Sequence, residues 1–241
     1  AFIARMNERA QELGMVNSNF MNTNGLDEDG HYSSAGDVAI MSRELLKHPT
    51  IFDYTTIWTD SLRAGKFGLA NPNKLVRFYE GANGLKTGST SQALCCLSAT
   101  ALRDDMQLIS VVLGAPTSND RFNSARALLD YGFATYAVQN QAQAGDVAGQ
   151  TAVNHGVSDM VNAVLEDDFL YLCKKGTEPL SRNEVIYDEV TAPVTKGQEL
   201  GYIEFIDGGE CVGKVRLISS TDVEKKGIRM IMLEFIDRIK V

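Results

Sequence analysis

Ala82-Asn83-Gly84-Leu85-Lys86-Thr87-Gly88-Ser89-Thr90 is followed at once by two apolar runs of strand length, Ala93–Thr100 and Met106–Gly114. The polar corner Arg103-Asp104-Asp105 joins the runs, so they read as adjacent antiparallel strands, with Ala82–Thr90 along the strand before them. Their apolarity is continuous rather than alternating, which predicts strands covered on both faces and helices packed on the sheet. A strand edge offers N–H and C=O groups with which an extended peptide can pair. Gly88 has no side chain, so another backbone can approach it closely.

Outward from this hairpin the pattern turns helical. Phe2, Met6, Ala10 and Leu13 share one helical face, and Gly14 is the expected stop. An Asn- and Gly-rich loop follows at Phe20–Leu26. Ser34 and Asp37 then form a capping-box-like start to a helix with Val38, Met41 and Leu45 as its apolar stripe, ended by His48-Pro49. After the hairpin, Thr117-Ser118-Asn119-Asp120-Arg121 opens a helix whose Phe122, Ala125, Leu128 and Leu129 are expected to face inward, running to Tyr131-Gly132-Phe133.

Taken in order, these segments resemble the low-molecular-mass penicillin-binding proteins, the serine-type D-alanyl-D-alanine carboxypeptidases of peptidase family S11. The resemblance rests on Leu13-Gly14-Met15, Gly25-Leu26, Tyr32–Asp37, Asn71-Pro72-Asn73-Lys74-Leu75, Gly84–Gly88 and Tyr131-Gly132-Phe133, and it covers essentially the whole chain. It implies acyl transfer through a serine acyl-enzyme, removal of the terminal D-Ala from peptidoglycan stem peptides ending in D-Ala-D-Ala, and inhibition by β-lactam antibiotics. Lys86, Thr87, Gly88 and Ser89 are then the candidate catalytic group. Lys86 supplies a positive charge, Thr87 a hydroxyl for the substrate carboxylate, and the Ser89 N–H an oxyanion donor. Thr90 and Arg121 are the candidate substrate-binding residues. Many relatives carry His after Lys-Thr-Gly where this chain has Ser89.

The nucleophile motif is not here. No Ser has Lys three residues on, and the Ser-x-Asn motif likewise reads as absent. The resemblance therefore implies a missing N-terminal segment carrying both motifs, upstream of Ala1. A non-catalytic cell-wall binding or scaffolding protein of the same fold is the alternative reading, and a serine β-lactamase a third. An extracytoplasmic location follows from the family's substrate.

Composition bounds the rest. A net charge of −8 with no basic run argues against a nucleic-acid partner. No segment approaches the roughly 20 apolar residues of a membrane span. The four cysteines include no Cys-x-x-Cys pair and the three histidines stand apart, so no metal or cofactor is called for. The cysteines read as buried thiols, with a Cys173–Cys211 disulfide as the alternative.

After Tyr136 the texture changes. Gln139–Asp146 is polar and small, and it reads as a linker between a domain at 1–138 and one at 139–241. Short apolar segments follow at Met160–Leu165, Phe169–Lys174, Val185–Val190, Leu200–Phe205 and Val212–Leu217, separated by turn residues. That is the pattern of a small β-sandwich. The fold class is α+β: part of a transpeptidase-like domain, an antiparallel sheet with helices, followed by this β-rich domain. Ile228–Val241 has amphipathic helical spacing, either the start of an anchor at a membrane surface or a terminal element packed on the sandwich.

Overall fold

A computed structural model describes residues 1–232, which fall into two compact units, Ala1–Ala137 and Val138 onward. The first unit is built on a three-stranded antiparallel sheet of order β3-β4-β5: β3 (Ala82–Thr90), β4 (Leu94–Arg103) and β5 (Met106–Ala115). Five consecutive residues of β4, Leu97–Ala101, are buried, so both faces of the strand are covered, as its continuous apolarity predicts. α5 (Ser118–Thr135) lies against β4 and β5, as does α2 (Ala35–Leu45), which reaches β4 through a buried 2.7 Å hydrogen bond between the Ser42 and Ser98 hydroxyls. Upstream lies α1 (Phe2–Glu12), and between α2 and the sheet come the short α3 (Phe52–Thr55), the hairpin β1 (Thr59–Leu62) with β2 (Phe67–Ala70), and α4 (Leu75–Phe78).

The helix boundaries follow their capping residues. Gly14 at φ +79° ends α1, and the bonds Met15 N–H to Ala10 O (2.9 Å) and Gly14 N–H to Gln11 O (3.0 Å) make a Schellman motif. The Ser34 and Thr117 hydroxyls accept from the N–H groups of Asp37 and Asp120 at the starts of α2 and α5.

The faces differ from the expected ones. Phe2 is 66% exposed and only Ala10 of α1 is buried. The α1 stripe lines an open groove with Phe20 and Met41 instead of entering a core. In α2 the buried residues are Asp37 and Ser42, while Met41 and Leu45 are exposed. Asp37 is buried because Oδ2 accepts from the Asn17 N–H (2.8 Å) and the Ser18 hydroxyl (2.7 Å), which pin the preceding loop to the helix. In α5, Leu128 is exposed and Arg121 is buried in its place.

The second unit carries β6 (Tyr136–Ala142), β7 (Val147–Asn154), β8 (Met160–Leu165), β9 (Phe169–Lys174), β10 (Ser181–Ile186), β11 (Glu189–Thr191), β12 (Glu199–Asp207) and β13 (Glu210–Ser219). A six-stranded sheet of order β10-β12-β13-β8-β7-β11 accompanies the pair β6-β9. Alternate residues of β12 (Ile203, Phe205) and β13 (Val215, Leu217) enter one core, where Phe169 stacks on Phe205 with ring centroids 4.4 Å apart. Gln139–Asp146 is not an open linker. Its first half is the end of β6, where Ala142 is buried and the buried Gln141 side chain accepts from the Leu180 N–H at 3.2 Å. Val185–Val190, expected as one segment, divides into the end of β10 and the start of β11.

The four cysteines are thiols; Cys173 is buried, Cys95 and Cys96 are half-buried, and Cys211 is exposed, contrary to its expected burial. Residues 228–232 open a helix, and the remainder of the expected amphipathic segment, 233–241, lies outside the described residues.

Candidate active site

Among the described residues β3 pairs with β4 alone, so its other edge is open. Along it Lys86, Gly88 and Ser89 are exposed and Thr87 is half-buried. These residues line a cleft of about 1050 Å³ together with Leu26, Asp27, Thr90, Cys96 and Arg121. The Lys86 ammonium donates to the Thr87 carbonyl at 2.5 Å. A Cβ built on Gly88 meets nothing closer than Cys96 Cβ at 3.9 Å, so no neighbour crowds the strand there and the space over Gly88 is open. The Ser89 hydroxyl lies 4.0 Å from Cys95 Sγ.

Arg121, near the start of α5, is 8% exposed and aims back at the strand. Its Nη1 donates to Gly88 O (3.1 Å) and Cys96 O (3.2 Å), and its Nη2 to the Ser118 hydroxyl (3.2 Å). The Nε is buried with no hydrogen-bond partner. The guanidinium thus ties the glycine of Lys-Thr-Gly to β4 while lining the same cleft. Thr90 is engaged locally: its hydroxyl accepts from the Ala93 N–H at 2.9 Å.

Three supporting residues escaped the sequence reading. Thr55 Oγ1 donates to Asn83 O at 2.6 Å, and Asn73 Nδ2 donates to the next carbonyl, Gly84 O, at 2.8 Å. Asn73 is 1% exposed, and its Oδ1 also accepts from the Leu75 N–H at 3.2 Å. The signal for it was the Asn71-Pro72-Asn73 segment, in which the Asn73 N–H bonds back to Asn71 Oδ1 at 2.9 Å. Asp27, the third, sits in a loop of mixed polar residues with nothing in the sequence to mark it. Hydrogen bonds from the Thr90 and Ser91 hydroxyls and the Gln92 N–H hold its carboxyl below the usual carboxylate range. Among the described residues no cluster of three or more His, Cys, Asp or Glu has metal-binding geometry.

The comparisons agree with this arrangement. Residues 1–117 match the family model for D-alanyl-D-alanine carboxypeptidase, peptidase S11, and residues 136–225 match that for the penicillin-binding protein 5 C-terminal domain. The peptidase S11 match thus spans most of the first unit, and the C-terminal-domain match most of the second. D-alanyl-D-alanine carboxypeptidase DacF of Bacillus subtilis is 36% identical over 231 residues, covering 94% of this chain and 59% of the relative. DacC of Escherichia coli is 32% identical, over 94% of this chain and 57% of its own length. The chain therefore spans somewhat under two thirds of the curated relatives it matches. Among solved structures, penicillin binding protein 5 from Haemophilus influenzae superposes with a TM-score of 0.62 at 29% identity, over 93% of this chain and 66% of that one. PBP3 from Streptococcus pneumoniae gives 0.69 at 25% identity, over 92% and 69%. The chain does contain one Ser-x-Asn tripeptide, Ser181-Arg182-Asn183, but it lies on β10 of the second unit, paired with β12.

Proposed function

We propose that this chain is the Lys-Thr-Gly-bearing portion of a penicillin-sensitive, serine-type D-Ala-D-Ala carboxypeptidase, with the first unit forming part of its catalytic domain (1–138) and the β-rich unit (139–241) an accessory domain. The observation that carries the reading is the open edge of β3, which presents Lys86, Thr87 and Gly88 to a large cleft while Arg121 ties Gly88 to β4. An extended peptide ending in D-Ala-D-Ala pairs with that edge as an added strand. The Lys86 ammonium and the Thr87 hydroxyl receive its terminal carboxylate, with charge-assisted bonds that are strong in a water-poor site. The Ser89 N–H stabilises the oxyanion formed when a serine attacks the penultimate D-Ala carbonyl. The carbonyl carbon gains the serine Oγ and the peptide C–N bond breaks, the amine leaving with a proton as free D-Ala. Water then hydrolyses the ester and regenerates the serine. The 241 residues contain no Ser-x-x-Lys, so the attacking serine and its base are assigned to protein outside them. The substrate places the enzyme outside the cytoplasm, with β-lactams as inhibitors; no helix among the described residues is long and apolar enough to cross a membrane.

Acylation by benzylpenicillin, read by intact mass, tests the proposal. The protein carrying the upstream serine motif takes up one penicillin, and the 241-residue chain alone takes up none. Lys86→Ala lowers the acylation rate constant at least tenfold, corresponding to a lost charge-assisted contact of about 1.5–3 kcal/mol. Stoichiometric labelling of the short chain, or an unchanged rate in Lys86→Ala, refutes the assignment.

A further inference from the structure

The loop at 22–30 leads from α1 toward α2 and braces itself. Asn22 Oδ1 accepts from the Gly25 N–H (2.8 Å), Asn22 Nδ2 donates to Leu26 O (3.0 Å), and Asn24 Oδ1 accepts from the Leu26 N–H (2.9 Å). The braced loop puts Gly25 and Leu26, the latter 63% exposed, on the wall of the cleft that also contains Lys86, Thr87 and Gly88. It reaches the β3–β4 turn through the Asp27 side chain, whose Oδ2 accepts from the Ser91 hydroxyl at 3.0 Å and from the Gln92 N–H at 3.2 Å. The turn that gathers Asp27 is the direct continuation of the Lys-Thr-Gly strand, so the two walls of the cleft are joined where β3 ends.

We propose that Asp27 is a positioning residue of the cleft: its carboxylate, held by Ser91 and Gln92, fixes the Gly25-Leu26 wall over the Lys86–Gly88 edge and so sets the size of substrate terminus the site admits. This rests on the carboxypeptidase reading above. The Thr90 hydroxyl, expected to contact substrate, accepts instead from the Ala93 N–H at 2.9 Å within the same turn. A carboxylate in this position needs no titration and touches no reacting atom. It acts through the loop, and a misplacement of the wall by an ångström reaches the reaction as misorientation of the bound peptide.

Two measurements test the latch. In the 241-residue chain, hydrogen exchange at residues 22–30 is followed in Asp27→Ala. The latch requires faster exchange there with β4 and β5 unchanged, and unchanged exchange at 22–30 overturns it. In the full-length protein, kcat/KM is compared for peptides ending in D-Ala-D-Ala and in the bulkier D-Ala-D-Val. Asp27→Ala lowers the first about tenfold or more and narrows the preference for D-Ala over D-Val. Ser91→Ala does the same to a smaller degree, the double variant falls no further than Asp27→Ala, and Asp27→Asn, which keeps an acceptor oxygen, retains most of the preference. A lowered rate with the preference intact, or effects that multiply in the double variant, overturn the positioning role. A wild-type full-length protein that takes up no penicillin overturns the carboxypeptidase reading and the substrate role of the latch with it, while the exchange measurement still decides the latch itself.

Discussion

Replacing Arg121 by Met separates two roles that its place beside Lys-Thr-Gly allows. A guanidinium kept only to hold a substrate carboxylate contributes nothing to the stability of the ligand-free chain. A guanidinium that clamps the strand does. The substitution keeps most of the aliphatic stem but removes the guanidinium, which lies over the Phe122 ring and donates to Gly88 O, Cys96 O and Ser118 Oγ. Two charge-assisted bonds to carbonyls at about 1.5–3 kcal/mol each give a gross loss of about 3–6 kcal/mol. Two features reduce it. Gly88 is exposed and Cys96 half-buried, so water can reach the freed carbonyls, and the buried, unpartnered Nε no longer has to be desolvated. Relief of one such unsatisfied donor is worth about 1–3 kcal/mol, which leaves a net loss of about 2–3 kcal/mol. Trp58 is the only tryptophan and lies in the first unit, so its fluorescence follows that unit through a urea titration without signal from the second. With a urea slope of about 2 kcal/mol per molar, the midpoint moves down by about 1–1.5 M. A midpoint within about 0.25 M of wild type, equivalent to about 0.5 kcal/mol on that slope, refutes the clamp and leaves Arg121 to the substrate alone.

Tyr79 donates its hydroxyl to Asp130 at 2.7 Å, and burial first, then that bond, push its pKa up to about 12. Because the folded value lies above the unfolded one near 10, the stabilisation is complete below pH 10 and is lost as pH rises toward 12; Tyr79→Phe removes the latest step from a phenolate absorbance titration, and a titration identical to wild type refutes the assignment. Gly81 has φ +76°, and an added Cβ comes 2.3 Å from Leu102 O, so Gly81→Ala costs about 2 kcal/mol or more in thermal unfolding. A loss under about 0.5 kcal/mol shows that the entry to β3 yields freely. Because β6 occupies the start of Gln139–Asp146, a protease of broad specificity first cleaves elsewhere; an early nick within Gln139–Ala142 refutes the strand.

Where the sequence was legible, one local signal decided the outcome. β4 and β5 follow from continuous apolar runs, the end of α1 from Gly14, and the starts of α2 and α5 from hydroxyls placed to accept the third N–H. It was illegible where a polar residue's partner lies far along the chain. Gln141 reads as linker because Leu180, whose N–H it accepts, is 39 residues away. Asp37 and Ser42 stand outside the apolar stripe expected of α2, yet they are its buried residues, since Ser18 and Ser98 supply their hydrogen bonds. Composition scores such residues by their cost in an apolar interior, and that cost vanishes once a partner is present.

The same reasoning explains why the Lys-Thr-Gly strand was found and its supports were not. A strand that is to receive a peptide on one edge must leave that edge unpaired, so it has a neighbouring strand on one side only to fix its backbone. Here side chains add a second hold on the backbone. The carbonyls of Asn83, Gly84 and Gly88 are held by Thr55, Asn73 and Arg121, from 28, 11 and 33 residues away, bracketing Lys86 and Thr87 on both sides. Each donor is a polar residue of ordinary appearance whose role exists only in the folded chain. The chemistry of the edge can be read from three adjacent letters because it needs a charge, a hydroxyl and the absence of a side chain at consecutive positions. Its rigidity cannot, because a donor from any element that reaches the strand meets the same physical need.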